Sequence, residues 1–164
     1  MKSEILNVLI VGCGNIAGVL DMSRPDNANP ITHAGAFSKN PNFKILGCID
    51  IDKEKALNFA KYWKIPNIYS SFEEVLLDSK KYDVISLCSP TKSHFKDIKK
   101  CLSLSPRLIF CEKPVTEEVT NTRKIKALCE KEDILFAVNH NRRWDERIIT
   151  LKEEIEIGKR GSLR

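Results

Sequence analysis

The sequence Gly12-Cys13-Gly14-Asn15-Ile16-Ala17 decides the fold, because it follows directly on the apolar run Ile5–Val11. It matches G-x-G-x-x-[G/A], which between a strand and a helix is typical of dinucleotide-binding folds. Gly12 permits a tight turn, Gly14 lets the backbone approach a pyrophosphate, and Ala17 lets the next helix pack closely on the sheet. The N–H groups and dipole at the start of that helix favour a bound phosphate. A glycine turn without a ligand is the alternative interpretation.

Further short apolar runs follow along the chain and predict more strands. They lack the polar alternation of a half-exposed sheet, so both faces of each strand are expected to be buried, as in a parallel sheet covered by helices. The pattern predicts an α/β fold: a Rossmann-type doubly wound parallel sheet of about six strands in the order 3-2-1-4-5-6, with helices on both faces. The predicted strands after the first are Phe43–Ile49, Ile68–Tyr69, Val84–Cys88, Leu108–Cys111 and Ile134–Val138.

Helix-like segments fill the gaps between these runs, and several have a capping residue in front of them. The stretch Asp21–Thr32, with two prolines and two asparagines, is predicted to be irregular. The predicted helices are Lys53–Trp63 capped by Asp52, Phe72–Leu77 capped by Ser70 or Ser71, Lys92 to about Leu102, Glu117 to about Glu132 capped by Thr116, and Arg143–Ile157 ended by Gly158.

Length and composition limit the class of protein. The 164 residues fit one domain, and 42% apolar with 30% charged residues indicates a globular core. The net charge of +5 comes with mixed charge runs rather than a basic stripe, which argues against nucleic-acid binding. The six cysteines form no C-x-x-C pair, so neither a metal site nor a disulfide framework is predicted. The N-terminal apolar run is too short for a signal peptide or membrane span, which makes the cytoplasm the expected location.

Asp50 ends the second predicted strand and is the candidate ribose-binding residue. Its carboxylate can accept hydrogen bonds from the adenosine ribose hydroxyls and would repel a 2′-phosphate, which favours NAD over NADP. The distance from the glycines exceeds the usual spacing of about 20 residues, and an insertion at Asp21–Thr32 accounts for the excess. Asp52 competes for this role, although its position suits a helix cap better, and Lys53 keeps NADP open because a lysine there can help to hold a 2′-phosphate.

At this point the sequence resembles the Gfo/Idh/MocA oxidoreductases, the family of glucose-fructose oxidoreductase and inositol dehydrogenase, over nearly the whole chain. The matching segments lie at carboxyl ends of predicted strands, where ligands of open parallel sheets bind. The segments are Gly12–Ala17, Asp50, Ser89-Pro90-Thr91-Lys92-Ser93-His94, Glu112-Lys113-Pro114 and Asn139-His140-Asn141-Arg142-Arg143-Trp144.

The resemblance implies roles for these segments in binding NAD. The Ser89–His94 loop would line the cofactor beside its nicotinamide half, although His94 is equally well an ordinary residue in the first turn of a helix. Arg143 would contact the cofactor or an acidic substrate group, Trp144 would form a wall of the site, and His33 aligns with a family histidine that is usually structural. The implied cofactor-binding residues are Gly12, Cys13, Gly14, Asn15, Ile16, Asp50, Ser89, Pro90, Thr91, His94, Glu112, Lys113, Arg143 and Trp144.

Lys113 is the implied catalytic residue. In the family the lysine of this segment lies near the nicotinamide and the reacting hydroxyl, where a cation can orient the substrate oxygen and stabilise developing alkoxide charge. Glu112 would be a structural or cofactor-contacting partner, and Pro114 would shape the loop through a cis peptide bond.

The resemblance also implies a second domain. Residues 1–157 correspond to the dinucleotide-binding domain, and residues 158–164 to the start of an α+β domain for substrate binding and oligomerisation. The complete form would be a homo-oligomer that oxidises a secondary hydroxyl of a sugar, polyol or nucleotide-sugar, whereas this piece would be weakly active or inactive and a monomer. The alternative function is a non-catalytic, NAD-sensing or regulatory dinucleotide-binding module.

Overall fold

The computed structural model of this chain describes residues 4–161, and its centre is one sheet of six parallel strands. The strand order is β3-β2-β1-β4-β5-β6. Both the doubly wound fold and the strand order predicted from the sequence are confirmed. The strands are β1 (Leu6–Val11), β2 (Phe43–Ile49), β3 (Asn67–Tyr69), β4 (Val84–Leu87), β5 (Leu108–Glu112) and β6 (Leu135–Asn139).

Seven helices connect or follow these strands within the described residues. A π-helical turn, Asn15–Val19, precedes α1, and a 3-10 turn, Asn141–Trp144, precedes α7. The helices are α1 (Leu20–Met22), α2 (His33–Lys39), α3 (Lys53–Trp63), α4 (Phe72–Leu77), α5 (Thr91–Leu102), α6 (Val119–Lys131) and α7 (Glu146–Glu156).

Strand β1 shows why the sheet is covered on both sides. Successive side chains of a strand point to opposite faces. Val8 and Ile10 belong to a core cluster that includes residues of α2 and α3, whereas Leu9 and Val11 belong to another that includes residues of α4, α5 and α6. Both faces of β1 are therefore buried from Val8 to Val11, which explains why these four residues are all apolar.

Side-chain caps set two helix starts as the sequence predicted or allowed. The Asp52 carboxylate accepts hydrogen bonds from the N–H groups of Glu54 and Lys55, both at 3.1 Å, at the start of α3. Ser71, rather than Ser70, caps α4 by accepting from the Glu74 N–H at 3.3 Å. These contacts satisfy N–H groups that have no partner inside the helix.

Two predicted helix starts were wrong. The Thr116 hydroxyl donates to the Glu118 carbonyl at 2.6 Å instead of accepting from a backbone N–H, and α6 begins only at Val119. The last helix begins at Glu146 rather than Arg143, because Asp145 caps it by accepting from the Arg147 N–H at 3.0 Å. The end of α7 before Gly158 agrees with the prediction. Of the segment 158–164, residues 162–164 lie outside the described part of the chain.

Residues 23–32 separate α1 from α2 in the crossover from β1 to β2, and the first two residues of the stretch predicted to be irregular, Asp21 and Met22, belong to α1. The buried Asp21 carboxylate accepts from the N–H groups of Ile31 and Thr32, both at 3.0 Å, and from the Thr32 hydroxyl at 2.6 Å. Arg24 forms an ion pair with the same carboxylate at 3.2 Å. One buried side chain therefore closes the base of this loop.

The cysteines and the helix lengths add two observations. All six cysteines, which fall within residues 4–161, are free thiols, and five of them are buried. None of the helices in residues 4–161 combines the length and the apolar character needed to cross a bilayer.

Candidate cofactor site

A cleft runs along the carboxyl ends of the strands, on both sides of the point where the strand order reverses between β1 and β4. This switch point is where open α/β sheets bind their ligands. Three neighbouring cavities of about 840, 260 and 390 Å³ form the cleft, and Ser89 and Pro90 line all three. A path lined by the predicted motifs thus extends from β2 across β1 and β4 to β6.

The glycine motif forms the floor of the largest cavity. Gly12 has φ +87°, and a Cβ there would lie 2.7 Å from the Ser89 N atom, so this position requires glycine. At Gly14, in contrast, a Cβ would meet no atom within 4 Å, which leaves the backbone open to a ligand. The turn Asn15–Val19 starts next to this opening. These features fit a pyrophosphate approaching the backbone.

Cys13 contributes its backbone rather than its thiol. Its N–H donates to Asp50 Oδ2 at 2.8 Å. The pKa of the Cys13 thiol is raised well above its ordinary value by its hydrogen bond with Cys48 and by burial. The side chain is therefore a neutral, buried thiol that packs in the core behind the motif.

Asp50 joins the first two predicted segments. While Oδ2 holds the glycine loop through Cys13, Oδ1 accepts from the Asp52 N–H at 2.9 Å. Each carboxylate oxygen can accept more than one hydrogen bond, so acceptor capacity remains for ribose hydroxyls. Asp50 lines the cavities of about 840 and 260 Å³, and the role of Asp52 as a helix cap agrees with the sequence prediction.

Lys55 is a cleft residue that sequence reasoning missed. It lines the largest cavity, and its Nζ lies 3.5 Å from Asp52 Oδ2. Lys53, which sequence reasoning singled out, is not among the residues that line the three cavities. The sequence does contain a signal for Lys55: the i, i+3 spacing of Asp52 and Lys55 places a capping carboxylate and a lysine on one face of a helix.

The loop after β4 bounds the cleft through its backbone. The Ser89 hydroxyl donates to Asp97 Oδ2 at 2.7 Å, and Pro90 is the N-terminal cap residue of α5. His94 lies in the first turn of α5 and is buried: its Nε2 is 2.7 Å from the Ser89 carbonyl oxygen, and its Nδ1 is 3.0 Å from that of Pro114. His94 therefore ties two loops of the site together with its ring, and its contact with a cofactor stays a prediction.

Residues of the Glu112-Lys113-Pro114 segment and of the segment that begins at Asn139 form the far end of the cleft. Glu112, Lys113 and Asn139 line the cavity of about 390 Å³ together with Ile16 and Thr91. The Lys113–Pro114 peptide bond is cis, as the resemblance implied. Lys113 is exposed, and within residues 4–161 its ammonium group takes part in no ion pair.

Glu112 is held by groups from two other elements. Its Oε1 accepts hydrogen bonds from His33 Nε2 at 2.9 Å and from Asn139 Nδ2 at 2.6 Å, and its Oε2 accepts from the Lys113 N–H at 3.3 Å. Burial acts to raise the pKa of Glu112, but the hydrogen bonds from His33 and Asn139 outweigh it and hold the pKa below its ordinary value. Glu112 is therefore an anion at neutral pH.

The structure does not bring every predicted residue to the cleft. Arg143 and Trp144 lie in the 3-10 turn and are exposed, with Trp144 at 76% of its full accessibility. Neither belongs to the residues that line the three cavities, whereas Asn141 of the same turn does. Their proposed contacts with cofactor or substrate stay predictions.

Known proteins share both the sequence pattern and the fold. The uncharacterised oxidoreductase YrbE of Bacillus subtilis is 32% identical over 130 residues, which cover 79% of this chain and 38% of that protein. The myo-inositol 2-dehydrogenase of Thermotoga maritima is 28% identical over 83 residues, which cover 51% and 25%. The chain thus spans well under half the length of these curated relatives.

Among solved structures, scyllo-inositol dehydrogenase from Lactobacillus casei with bound NAD(H) and scyllo-inositol superimposes with a TM-score of 0.77 at 17% identity. The match covers 95% of this chain and 42% of that one. Residues 6–140 match the family model described as the oxidoreductase family with an NAD-binding Rossmann fold. The chain therefore belongs to the Gfo/Idh/MocA family of oxidoreductases and contains its NAD-binding Rossmann domain.

Proposed function

We propose that this chain is the cofactor domain of an enzyme that transfers a hydride between NAD and a secondary hydroxyl of a sugar, polyol or nucleotide-sugar. The observation that carries the proposal is the position of Lys113. Its side chain lines the cleft beyond the switch point, on the opposite side from Asp50, and has no carboxylate partner within residues 4–161. The inositol dehydrogenases among the relatives support a polyol as the substrate class.

In this proposal each end of the cleft has its own task. The glycine loop and Asp50 bind the pyrophosphate and the adenosine ribose, and Ser89 and Pro90 bound the cleft between the two halves of the cofactor. Bound NAD supplies the hydride acceptor. The Lys113 ammonium orients the substrate hydroxyl oxygen and stabilises the negative charge that develops on it.

We further propose that NAD is preferred over NADP. A 2′-phosphate would lie near the carboxylates of Asp50 and Asp52, where like charges repel. Lys55 is already paired with Asp52 and is thus less available to a phosphate.

Substrate positioning is assigned to a second domain, in the same polypeptide or in another. The support is that the chain spans 38% of the relative YrbE and 42% of the scyllo-inositol dehydrogenase chain. Holding two reactants in a near-attack geometry is worth roughly 7–11 kcal/mol, which an exposed lysine alone does not provide. We therefore expect residues 1–157 to bind the cofactor but turn over weakly or not at all by themselves, and the second domain to carry the contacts of a homo-oligomer. The free thiols suit a reducing compartment such as the cytoplasm.

Calorimetric titration of the chain with NAD and with NADP tests the proposal. We expect NAD to bind and NADP to bind at least about tenfold more weakly, because juxtaposed like charges cost free energy. Failure to bind either dinucleotide would overturn both the enzyme and the alternative of a dinucleotide-sensing module. Equal binding would leave the cofactor domain in place but remove the assigned NAD preference.

A further inference from the structure

A connected group of four polar side chains lies behind the Lys113 end of the cleft. His33 Nδ1 is 2.7 Å from the Ser86 hydroxyl oxygen, His33 Nε2 is 2.9 Å from Glu112 Oε1, and Asn139 Nδ2 is 2.6 Å from the same carboxylate oxygen. Ser86 and His33 are buried, whereas Glu112 and Asn139 are half-buried and reach the cavity. We refer to these residues as the carboxylate network.

The network joins four separate elements. Ser86 lies in the middle of β4, His33 begins α2, Glu112 ends β5, and Asn139 ends β6. The His33 ring also packs against Phe110 of β5, with the ring centroids 5.0 Å apart. Packing thus fixes the ring in the orientation that aims Nε2 at Glu112.

This arrangement leaves one part of the Glu112 carboxylate available. Its Oε1 is engaged by two side-chain nitrogen atoms, whereas among residues 4–161 Oε2 has only the long contact of 3.3 Å from the Lys113 N–H. A carboxylate oxygen accepts two hydrogen bonds. Oε2 therefore retains acceptor capacity, at the end of a side chain that lines the cavity.

The cavity lies on the β4–β6 side of the switch point, opposite to Asp50. In the proposed function, on which this inference rests, that side receives the nicotinamide half of the cofactor. A nicotinamide carries a carboxamide N–H₂ donor and, in its oxidised form, a positive ring charge. Both are complementary to an ionised, half-buried carboxylate.

We propose that His33 and Asn139 are positioning residues that hold Glu112 for recognition of the nicotinamide half of the cofactor. Both act through the carboxylate: His33 is buried and lines none of the three cavities, and Asn139, which also lines the cavity, donates to Oε1. If either hydrogen bond to Oε1 is removed, the carboxylate can rotate away and the affinity contributed by the nicotinamide half falls. The adenosine and pyrophosphate contacts, which lie on the other side of the switch point, do not depend on the network.

Comparing NAD⁺ with ADP-ribose tests this directly in the chain, because ADP-ribose has every part of NAD⁺ except the nicotinamide. The variants are His33→Phe, which keeps a ring against Phe110, and Asn139→Leu. For each variant we expect the Kd for NAD⁺ to rise about tenfold, the value of a hydrogen bond to a charged group, while the Kd for ADP-ribose changes less than about twofold. His33→Gln restores an N–H donor and is expected to bring the Kd for NAD⁺ back to within about threefold of the wild type.

Tyr82→Phe is the matched control, since it removes a different buried hydrogen bond, the one of 2.9 Å between the Tyr82 and Tyr69 hydroxyls. Tyr69 lies on β3, far in the sheet order from β5, which carries Glu112. The control variant should leave both affinities unchanged. Equal weakening of NAD⁺ and ADP-ribose in the network variants, or no weakening of NAD⁺, overturns the inference. If His33→Phe fails to fold, the Asn139→Leu variant decides the question, because Asn139 is half-buried and lies on an edge strand.

The wild type separates this inference from the proposed function. If the wild type binds neither ligand, the proposed function fails and the inference falls with it. If the wild type binds both ligands equally, the chain remains a dinucleotide-binding domain, but its nicotinamide half is not recognised by Glu112 and only the inference is overturned.

Discussion

At the scale of single residues, Asp50 illustrates how one side chain serves two segments. Its carboxylate receives the N–H of Cys13 from the glycine loop and the N–H of Asp52 from the start of α3. The sequence showed a carboxylate at the end of a strand, which is enough to suggest ribose binding. It could not show that the same group holds the glycine loop in place, because 37 residues separate Asp50 from Cys13.

Asp50→Ala is expected to weaken NAD binding and to relax the discrimination against NADP. The substitution removes both the acceptor for ribose hydroxyls and the charge that opposes a 2′-phosphate. We expect the Kd for NAD to rise about tenfold or more, because a hydrogen bond to a charged group is lost, and the ratio of the NADP to the NAD Kd to fall. Calorimetric titration with both cofactors measures the ratio. An unchanged ratio would refute the assignment.

Gly12 and Gly14 are expected to respond differently to the same added methyl group. Gly12→Ala places a Cβ at φ +87° against the Ser89 backbone, so we expect a loss of about 2 kcal/mol or more in the free energy of unfolding. Gly14→Ala meets no protein atom within 4 Å, so its stability should change by less than about 0.5 kcal/mol while its affinity for NAD falls. Urea unfolding and calorimetry distinguish the two effects. A stable Gly14→Ala variant with unchanged NAD affinity would show that the pyrophosphate does not approach this position.

At the scale of elements, the crossover from β1 to β2 departs most from a simple strand–helix–strand unit. The loop between α1 and α2 is closed at its base by Asp21 and is further attached by Lys39, whose Nζ donates to the Asp26 carbonyl at 3.0 Å. None of residues 23–32 lines the three cavities of the cleft. The composition of this stretch indicated an irregular segment, but its attachment depends on a buried carboxylate whose partners lie 10 and 11 residues away.

Asp21→Asn is expected to lower the free energy of unfolding by about 1–2 kcal/mol at neutral pH, since charge-assisted hydrogen bonds are lost. Burial acts to raise the pKa of Asp21, but the Thr32 hydroxyl, the N–H groups of Ile31 and Thr32, and Arg24 together hold it below its ordinary value. Because the pKa of Asp21 is lower in the folded than in the unfolded state, the ionised carboxylate stabilises the fold at pH values above the unfolded-state pKa. This stabilisation is lost as the pH falls through the folded-state pKa.

The difference in stability between wild type and Asp21→Asn should therefore shrink as the pH falls below the usual aspartate range. Urea denaturation at a series of pH values measures it. Asp26→Asn, an exposed carboxylate in the same loop, serves as the control and should show no such pH-dependent difference. A constant difference down to acid pH would contradict the assigned role of the charge.

At the scale of the whole molecule, the parallel sheet creates the site by bringing separate chain segments to one edge. The glycine loop, Asp50, Ser89 and Glu112 each lie at the carboxyl end of a different strand, and the reversal of strand order at β1 and β4 opens the space between them. Lys113 lines this space at the end formed by β5 and β6. The catalytic role proposed for Lys113 therefore depends on what covers the cleft.

Lys113→Met is expected to lower turnover far more than cofactor affinity. In a polypeptide that joins this domain to a family substrate domain, loss of the ammonium should reduce kcat by about 10²–10⁴, the range of general acid–base catalysis, and leave the Kd for NAD within about threefold. Steady-state kinetics with inositols, together with calorimetry, checks both quantities. Unchanged turnover would contradict the assigned role. If the joined protein binds NAD but oxidises no polyol, the result favours the non-catalytic module, which needs no active-site lysine.

Much of the fold was determined by the sequence alone. Apolar runs without polar alternation define the strands, Asp52 and Ser71 mark helix starts, and the glycine motif identifies the dinucleotide-binding crossover. These signals are local, since each depends on neighbours within a few residues. For that reason the strands and the segments of the cleft could be predicted, and the strand order followed from the doubly wound fold that the glycine motif indicates. The helix start predicted at Thr116 was wrong because its hydroxyl donates to the Glu118 carbonyl instead of accepting from a backbone N–H.

Only the tertiary structure decided how the site residues are held. The partners of Glu112 are His33, 79 residues earlier, and Asn139, 27 residues later. No local pattern encodes such pairs, because a polar side chain at a strand end has many partners within reach until the sheet order and helix packing exclude all but a few. Sequence therefore determined which segments meet at the edge of the sheet, and packing determined that Glu112 is held there as an anion.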